Sequence, residues 1–511
     1  MKTKRILAFL FALIMLLPCC LIGCKGDEGE KKTGAQAQLP TDTTDYSAVY
    51  DAPVKDLGGH EFIFYAKGTW PLTSVQLATH EIYAEEFNGD KINDAVYSRN
   101  LQIEEKYNCK ISMQPVSSSG DTYITKIKDP LLAGDYVCDL MFGRVDKNQT
   151  LMLSNLLVDL STLENMDLSK AWYDDFSMSN ITFEGKTFTA IGDGATLDDR
   201  TCWLMYFNKE IVTNYDTELN LYQMVREGKW TVDLLYNIME GTANDNDGDG
   251  TMTIGKDRFG YITERTTNLY HVSAFNVTLS TKNADGTYTI PDAPKQELLD
   301  AWAALKKVLA NPKREVSWTI ENFHNGLGTF FACNAGTLLE MSAAPFEYGV
   351  LPMPKMNEEQ DKYYTGVEST NFCGYAIPTT AGNDPNQHWQ KNGFESGAEQ
   401  SAYFLELFSY YSMIHLTPAF FDQVCLKQAV VDMDSQEMVI MALENKVIDP
   451  VLLFNWGSTA NTFYECGSPK GNKSVGSDEA WDTFTSTYEA RVTPARTAME
   501  QFLEGMRNMG L

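Results

Sequence analysis

The stretch YITKIKDPLLAGDYVCDLMFGRVD, residues 123–146, decides the fold class of this chain. Its first half has helical spacing and stops at Gly134, and the apolar run over 138–142 is typical of a buried strand. The residues before it repeat the order, with a strand pattern in GGHEFIFYAKGTW (58–70), a helical pattern over 92–107 and a second strand pattern over 109–116. Alternating strands and helices predict an α/β fold whose largely parallel sheet is covered on both faces.

A second α/β block begins at TCWLMYFNKEIV, residues 201–212. The segment EGKWTVDLLYNIMEGT (227–242) predicts a helix with Thr231 as its N-cap, because a threonine oxygen accepts the first free backbone N–H groups. RFGYIT (258–263) has the pattern of a strand, and residues 292–311 form a strongly amphipathic helical pattern. The sequence therefore predicts two α/β blocks.

Composition restricts the function. The 511 residues are long enough for two or three domains, and 43% of them are hydrophobic, which is sufficient for sizeable cores. The net charge of -28 repels phosphate backbones, so we expect no nucleic-acid partner.

The N-terminus has the pattern of an export signal. Basic residues precede an apolar run too short to span a bilayer comfortably, and small Gly23 stands before Cys24. The segment LIGC (21–24) resembles a bacterial lipobox. That resemblance implies a signal peptide over 1–23, a lipid on Cys24, a flexible tether over 24–54 and a protein held on the extracytoplasmic face of the cell membrane. An ordinary secretory signal is the alternative.

Several segments, in order, resemble the extracellular solute-binding proteins of ABC importers, in their sugar-binding branch. They are DYVCDLMF (135–142), LMYFNKEIV (204–212), EGKWTVDLL (227–235) with the acidic loop DNDGDG (245–250) behind it, and YGVLPMPK (348–355). The resemblance implies a two-lobed, periplasmic-binding-protein-like fold of type II, with a ligand cleft between lobes joined by crossing strands. It further implies a monomer that captures a solute, expected to be an oligosaccharide, by hinge closure and delivers it to ABC permease subunits without enzymatic turnover.

The two blocks translate into two lobes. We assign residues 55–203 plus 372–415 to lobe one and residues 204–371 plus 416–511 to lobe two.

Ligand sites of open α/β sheets lie at the carboxyl ends of strands, which selects the residues just past each predicted strand. They are Lys67, Trp70, Arg144, Asp146, Trp203, Tyr206, Glu264 and Glu368. Flat aromatic faces with planar charged groups suit a sugar, and we expect Trp70 and Trp203 to stack on it. Arg144 and Asp146 are equally well explained as a solvated ion pair on the surface.

The loop DNDGDG resembles the first half of a calcium loop. Its aspartates occupy positions 1, 3 and 5, Gly250 occupies the turn position 6, and Lys256 stands where an EF-hand needs a bidentate glutamate. The candidate ligands are Asp245, Asp247, Asp249, Thr251 and Asp257. A weak structural calcium site and a bare acidic turn both remain open, and no cofactor is required.

Two other functions remain open at this level. An exported glycoside hydrolase would need two carboxylates about 5 to 10 Å apart, which 69 acidic residues do not exclude. A surface lipoprotein that holds glycans without a transporter would need the same site as an importer component. The six histidines are isolated in the sequence, and no Cys/His cluster of zinc-site spacing occurs, so we expect no catalytic histidine and no zinc motif.

Overall fold

The computed structural model describes residues 50, 53–67, 80–116, 120–264, 266–284, 286–316, 320–421, 432–466 and 483–509. The predicted signal peptide, the lipid site at Cys24, most of the tether and Trp70 lie outside these residues. Within the described ranges, no helix combines the length and the apolar character needed to cross a membrane.

The strands are β1 (His60–Lys67), β2 (Cys109–Val116), β3 (Leu140–Arg144), β4 (Trp203–Asn208), β5 (Phe259–Thr263), β6 (Thr281–Lys282), β7 (Tyr288–Thr289), β8 (Arg314–Val316), β9 (Gly328–Asn334), β10 (Tyr348–Pro352), β11 (Thr365–Gly366), β12 (Cys373–Ala376) and β13 (Lys446–Val447).

The helices are α1 (Lys91–Tyr107), α2 (Gly120–Ala133), α3 (Val145–Met152), α4 (Asp175–Ile181), α5 (Leu197–Arg200), α6 (Lys209–Tyr215), α7 (Leu221–Arg226), α8 (Val232–Thr242), α9 (Thr267–Ala274), α10 (Gln296–Leu309), α11 (Glu321–His324), α12 (Leu338–Met341), α13 (His388–Lys391), α14 (Gly397–Pro418), α15 (Met433–Leu443), α16 (Pro450–Leu453), α17 (Thr459–Glu465) and α18 (Phe484–Asn508). Short 3₁₀ turns lie at Leu160–Thr162, Ala335–Thr337, Ala381–Asn383 and Trp456–Ser458.

The first sheet has the strand order β12-β3-β1-β2. Strand β1 is parallel to β2 and to β3, and β12 is antiparallel to β3. Helix α14 covers one face of this sheet, where Phe62 and Phe404 stack at 3.8 Å between ring centroids. The βαβ order predicted from residues 58–146 is confirmed.

The second sheet has the order β10-β4-β9-β5-β8. Strands β8, β5 and β9 are parallel, but β4 is antiparallel to both of its neighbours, β9 and β10. This sheet is therefore mixed rather than largely parallel, because the chain enters β4 from the other lobe instead of through a βαβ crossover. The N-cap prediction is confirmed, since the Thr231 side chain accepts the Leu234 N–H at the start of α8.

Two segments join the sheets side by side. Residues 201–203 lead into β4, and residues 367–372 lead from β11 back to β12. Cys202 and Val367 pair as an antiparallel bridge, and the Glu368 N–H donates to the Thr201 carbonyl at 2.9 Å. The described residues thus form an α/β structure of two main sheets joined by paired crossing segments, together with the two-stranded pairs β11-β13 and β6-β7.

The C-terminal helix α18 packs against residues of both predicted lobes. Near its start Phe484 stacks on Trp302 of α10 at 4.5 Å, and near its end Phe502 meets Phe183 at 5.1 Å. Phe183 belongs to the predicted lobe one, whereas Trp302 and the whole of α18 belong to the predicted lobe two. The exact lobe boundaries therefore stay a prediction.

Candidate ligand-binding site

The candidate site lies where strands of both sheets end beside the two crossing segments. Lys67 ends β1, Arg144 ends β3, and Glu264 directly follows β5. Asn334 ends β9 and lies opposite Trp203, the first residue of β4. Parallel strands deliver their carboxyl ends to one edge of a sheet, so this convergence follows from the topology.

A chain of hydrogen bonds joins the two sheets across this site. The Lys67 ammonium contacts the Thr370 carbonyl and Asn371 Oδ1, each at 3.3 Å. The Asn371 amide donates to Glu368 Oε1 at 2.8 Å, and the Asn334 amide donates to Glu368 Oε2 at 2.6 Å. Glu368 therefore links the end of β1 in the first sheet to the end of β9 in the second.

Arg144 and Asp146 form a two-pronged pair at the start of α3. Arg144 Nε lies 2.8 Å from Asp146 Oδ1, and Nη2 lies 2.6 Å from Oδ2. Their side chains are only 16% and 10% exposed, so the pair is not the fully solvated ion pair that was the alternative. Planar groups fixed in this way present defined donor and acceptor directions to a ligand.

Glu264 is the titratable group of the site with the largest shift. Burial, with a contribution from the nearby charge of Glu368, raises its pKa to about 7. Thr266 donates its hydroxyl to Glu264 Oε2 at 3.0 Å and opposes the shift. At neutral pH this carboxyl is therefore partly protonated and can either donate or accept a hydrogen bond.

The structure does not present the two predicted crossing aromatics to solvent. Trp203 is 1% exposed and stacks on Tyr270 at 4.4 Å, and Tyr206 is 0% exposed, with its hydroxyl on the Asn334 carbonyl at 3.0 Å. Both lie on β4, which has a neighbouring strand on each side and is fully buried. Both rings are part of the hydrophobic core. The Trp203 ring therefore has no open face for the predicted stacking on a sugar.

The site also contains two asparagines that were not predicted from the sequence. Asn334 ends β9, which is not among the predicted strands, and Asn371 lies in the segment that leads from β11 to β12 rather than at a strand end. The apolar run GTFFAC before Asn334 is the signal that identifies β9 and its end. Asn334 Oδ1 and Trp203 Nε1 are buried atoms without a hydrogen-bond partner among the described residues.

We call Lys67, Arg144, Glu264, Asn334, Glu368 and Asn371 the strand-end group. A cavity of about 610 Å³ lies beside the crossing segments, and none of its lining residues belongs to this group. Lys446 of β13 lines it, and its ammonium is held by the carboxylates of Asp174, Asp198 and Asp199 at 2.9 to 3.1 Å. Burial raises the pKa of Asp198 to about 7 in spite of Lys446. This ion cluster joins residues on both sides of the crossing.

Comparison with solved structures identifies the fold. The ABC substrate-binding protein Lmo0181 of Listeria monocytogenes, in complex with cycloalternan, superposes with a TM-score of 0.51 at 13% identity over 88% of this chain and 99% of that one. A cyclo/maltodextrin-binding protein complexed with maltotetraose gives 0.50 at 13% identity over 89% and 99%. UspC of M. tuberculosis gives 0.51 at 13% identity over 85% and 100%.

The chain has the fold of ABC substrate-binding proteins. The two-lobed α/β architecture implied by the sequence resemblance is thereby confirmed. No protein-family model and no curated protein sequence matches the chain. The strand-end group lies beside the crossing segments, where the hydrogen bonds of Glu368 link residues of both sheets.

The acidic loop lies after α8, apart from the strand-end group. Asp245 accepts the N–H groups of Gly248 and Gly250, each at 2.7 Å, which closes a tight turn. Carboxylate oxygens of Asp245, Asp247 and Asp257 lie within 4.8 Å of one another. Lys256 contacts Asp247 Oδ2 at 3.2 Å and so competes with a cation for that oxygen.

Asp249 and Thr251 complete the set of predicted calcium ligands, and both are exposed in the same loop. The Thr251 N–H donates to Asp249 Oδ1 at 2.7 Å, so this carboxylate is engaged with its own backbone. Asp257 is buried and closes the far side of the loop by accepting the N–H groups of Asn246 and Thr253.

Proposed function

We propose that this chain is the substrate-binding component of an ABC importer and captures a carbohydrate at the strand-end site. One observation carries the proposal. The hydrogen-bond chain from Lys67 through Asn371 and Glu368 to Asn334 gathers polar side chains of both sheets at one place. A ligand bound there contacts both lobes and so favours their closed arrangement.

The chemistry of the site suits a neutral polyol. Sugar hydroxyls both donate and accept, and the site supplies carboxylates, amides, an ammonium and a guanidinium in fixed planes. Asn334 Oδ1 is a buried acceptor without a partner among the described residues, and a hydroxyl of the ligand would satisfy it. Glu264, with its pKa near 7, can donate to a ring oxygen or accept from a hydroxyl.

The solved neighbours support the ligand class. The Listeria monocytogenes protein was solved with cycloalternan, and the cyclo/maltodextrin-binding protein was solved with maltotetraose. Both ligands are oligosaccharides. We propose that the present chain also binds an oligosaccharide, and we assign neither of these two sugars to it.

Delivery of the sugar to a permease would follow from closure of the two lobes around it. A sugar that is held from both sheets stabilises one relative orientation of the lobes, and the paired segments 201–203 and 367–372 are where that orientation changes. Permease subunits would then recognise the closed form. The proposal includes removal of residues 1–23, a lipid on Cys24 and a tether that leaves a monomeric body free on the extracytoplasmic face of the membrane.

A calcium ion in the acidic loop is a separate part of the proposal. Asp245, Asp247 and Asp257 supply carboxylates that are already close together, and Asp249 and Thr251 complete the oxygen set. The ion would brace the connection between α8 and β5 and would take no part in sugar binding.

Hydrolysis is the competing function, because a carboxyl with a raised pKa stands near a second carboxylate, as in glycosidases. A single assay separates the two functions. An oligosaccharide screened by thermal shift should stabilise the protein by RT ln(1 + [L]/Kd), about 2.7 kcal/mol at a hundredfold excess over Kd, and should be recovered unchanged by chromatography. Absence of stabilisation across linear and cyclic oligosaccharides, or release of shorter products, contradicts the proposal.

A further inference from the structure

A cluster of two histidines and two aspartates lies at the start of β1, at the opposite end of this strand from Lys67. His60 begins β1, and Asp384 and His388 belong to the segment after β12. His60 Nδ1 lies 3.0 Å from His388 Nδ1 and 3.7 Å from Asp384 Oδ2, and His388 Nδ1 lies 2.8 Å from the same oxygen. Two imidazole nitrogens and a carboxylate oxygen thus point at one small volume.

A buried carboxylate fixes the ring of His60. Asp139 Oδ1 lies 2.9 Å from His60 Nε2, and Asp139 Oδ2 accepts the Ile63 N–H and the Tyr136 hydroxyl, each at 2.8 Å. Because a carboxylate accepts, this contact favours the tautomer with the proton on Nε2, and in that tautomer the lone pair of Nδ1 points at the cluster. A histidine that donates its second N–H to a carboxylate is the usual arrangement behind a metal-bound imidazole.

The spacing of the three atoms fits a tetrahedral ion. Nitrogen and oxygen ligands lie about 2.0 to 2.2 Å from zinc, which places two tetrahedral ligands about 3.3 to 3.5 Å apart. The three observed separations, 2.8, 3.0 and 3.7 Å, lie on both sides of that value. Small movements of the two rings would therefore suffice to admit the ion.

The surroundings hold the ligands while leaving one side open. His60 is 2% exposed and Asp384 is 5% exposed, and backbone N–H groups of Asn386 and His388 donate to the Asp384 carboxylate. The His388 side chain is 22% exposed, so an ion can enter past it and keep a water as fourth ligand.

We propose that His60, Asp384 and His388 form a zinc site in the first lobe. Imidazole and carboxylate ligands suit Zn²⁺, whereas Ca²⁺ and Mg²⁺ prefer all-oxygen shells. The ion would tie the first strand of the sheet to the segment after β12, which lies far along the chain. It touches none of the strand-end residues, so the site is independent of the proposed sugar binding.

The test is a zinc titration of the metal-free full chain in competition with a chromophoric chelator. One ion per chain is expected. His388→Gln, at the exposed rim of the cluster, should weaken zinc binding by at least about tenfold. His415→Gln is the matched control, because it removes a partly exposed histidine of α14 that contacts Gln102 and lies outside the cluster.

A second measurement keeps the test independent of folding. Co²⁺ bound with this ligand set gives a visible absorption band, which should appear in the wild type and in His415→Gln and be lost in His388→Gln and Asp384→Asn. Circular dichroism of each variant should match the wild type. The proposal is overturned if the wild type takes up no zinc, or if His388→Gln binds zinc as tightly as the control.

Discussion

The Asn334 side-chain amide donates to Glu368 Oε2 at 2.6 Å, and this bond joins the end of β9 to the segment that returns to the first sheet. Asn371 donates to the other oxygen of the same carboxylate at 2.8 Å. Glu368 is therefore held by donors on both sides before any ligand arrives. A fixed acceptor of this kind costs a ligand less ordering than a mobile one.

Glu81→Ala should destabilise the whole protein. The Glu81 carboxylate, which is fully buried, contacts Arg200 Nη2 at 2.7 Å and accepts the Thr196 N–H and hydroxyl at 2.8 and 2.7 Å. Loss of one partner from a buried ion pair costs about 3 to 5 kcal/mol. Urea unfolding should show a lower midpoint with an unchanged slope, and an unchanged midpoint would contradict the role given to this pair.

The raised pKa of Glu264 predicts that the stability of the protein depends on pH. Its pKa rises from 4.5 in the unfolded chain to about 7 in the fold, so the folded state binds the proton more tightly. Its stabilising contribution is complete below about pH 4.5 and is lost as the pH rises through about 7, with a total change on the order of 3 kcal/mol.

The check compares the free energy of unfolding at about pH 5 and about pH 8 in the wild type and in Glu264→Gln. The variant should lose less stability across that interval, because the amide does not ionise. Burial also raises the pKa of Glu406 to about 7, so part of the wild-type slope should remain in the variant. An equal loss of unfolding free energy between the two pH values in both proteins would show that folding does not raise the pKa of Glu264.

The acidic loop predicts a calcium effect that depends on Asp257. Calcium should raise the melting temperature of the wild type relative to chelator, and Asp257→Asn should reduce that rise, because a carboxylate within 4.8 Å of Asp245 and Asp247 becomes neutral. Asp233→Asn, which neutralises an exposed aspartate at the start of α8, is the control. Equal midpoints with calcium and with chelator would exclude the ion.

Local sequence patterns were sufficient for much of the secondary structure. The helical spacing over residues 92–107 predicted α1 to within one residue, and the strand pattern over residues 109–116 matches β2. These elements have one buried face or an unbroken apolar run, so short-range periodicity reports their burial directly. The antiparallel course of β4 could not be predicted in this way, because it depends on where distant strands pair.

The candidate site likewise contains some residues that local sequence patterns predict and others whose position depends on distant parts of the chain. Lys67, Arg144 and Glu264 lie where strand ends predicted them, since chain direction fixes which end of a parallel strand faces the other lobe. Trp203 was selected by the same rule but lies in the core, because burial depends on the neighbouring strands of β4. The pairing of His60 with His388, 328 positions apart, leaves no local pattern, so histidines that are isolated in the sequence gave no sign of it.

Calorimetric titration of Glu368→Gln with the oligosaccharide that best stabilises the wild type tests the central claim most directly. The amide cannot accept from both Asn334 and Asn371, and loss of a charged hydrogen-bonding group costs about 1.5 to 3 kcal/mol, so affinity should fall roughly 10- to 150-fold. The control, Glu227→Gln, neutralises an exposed carboxylate beside Lys229 and should bind as the wild type does. Equal affinity in Glu368→Gln and the control would contradict the proposed role of Glu368 in sugar binding.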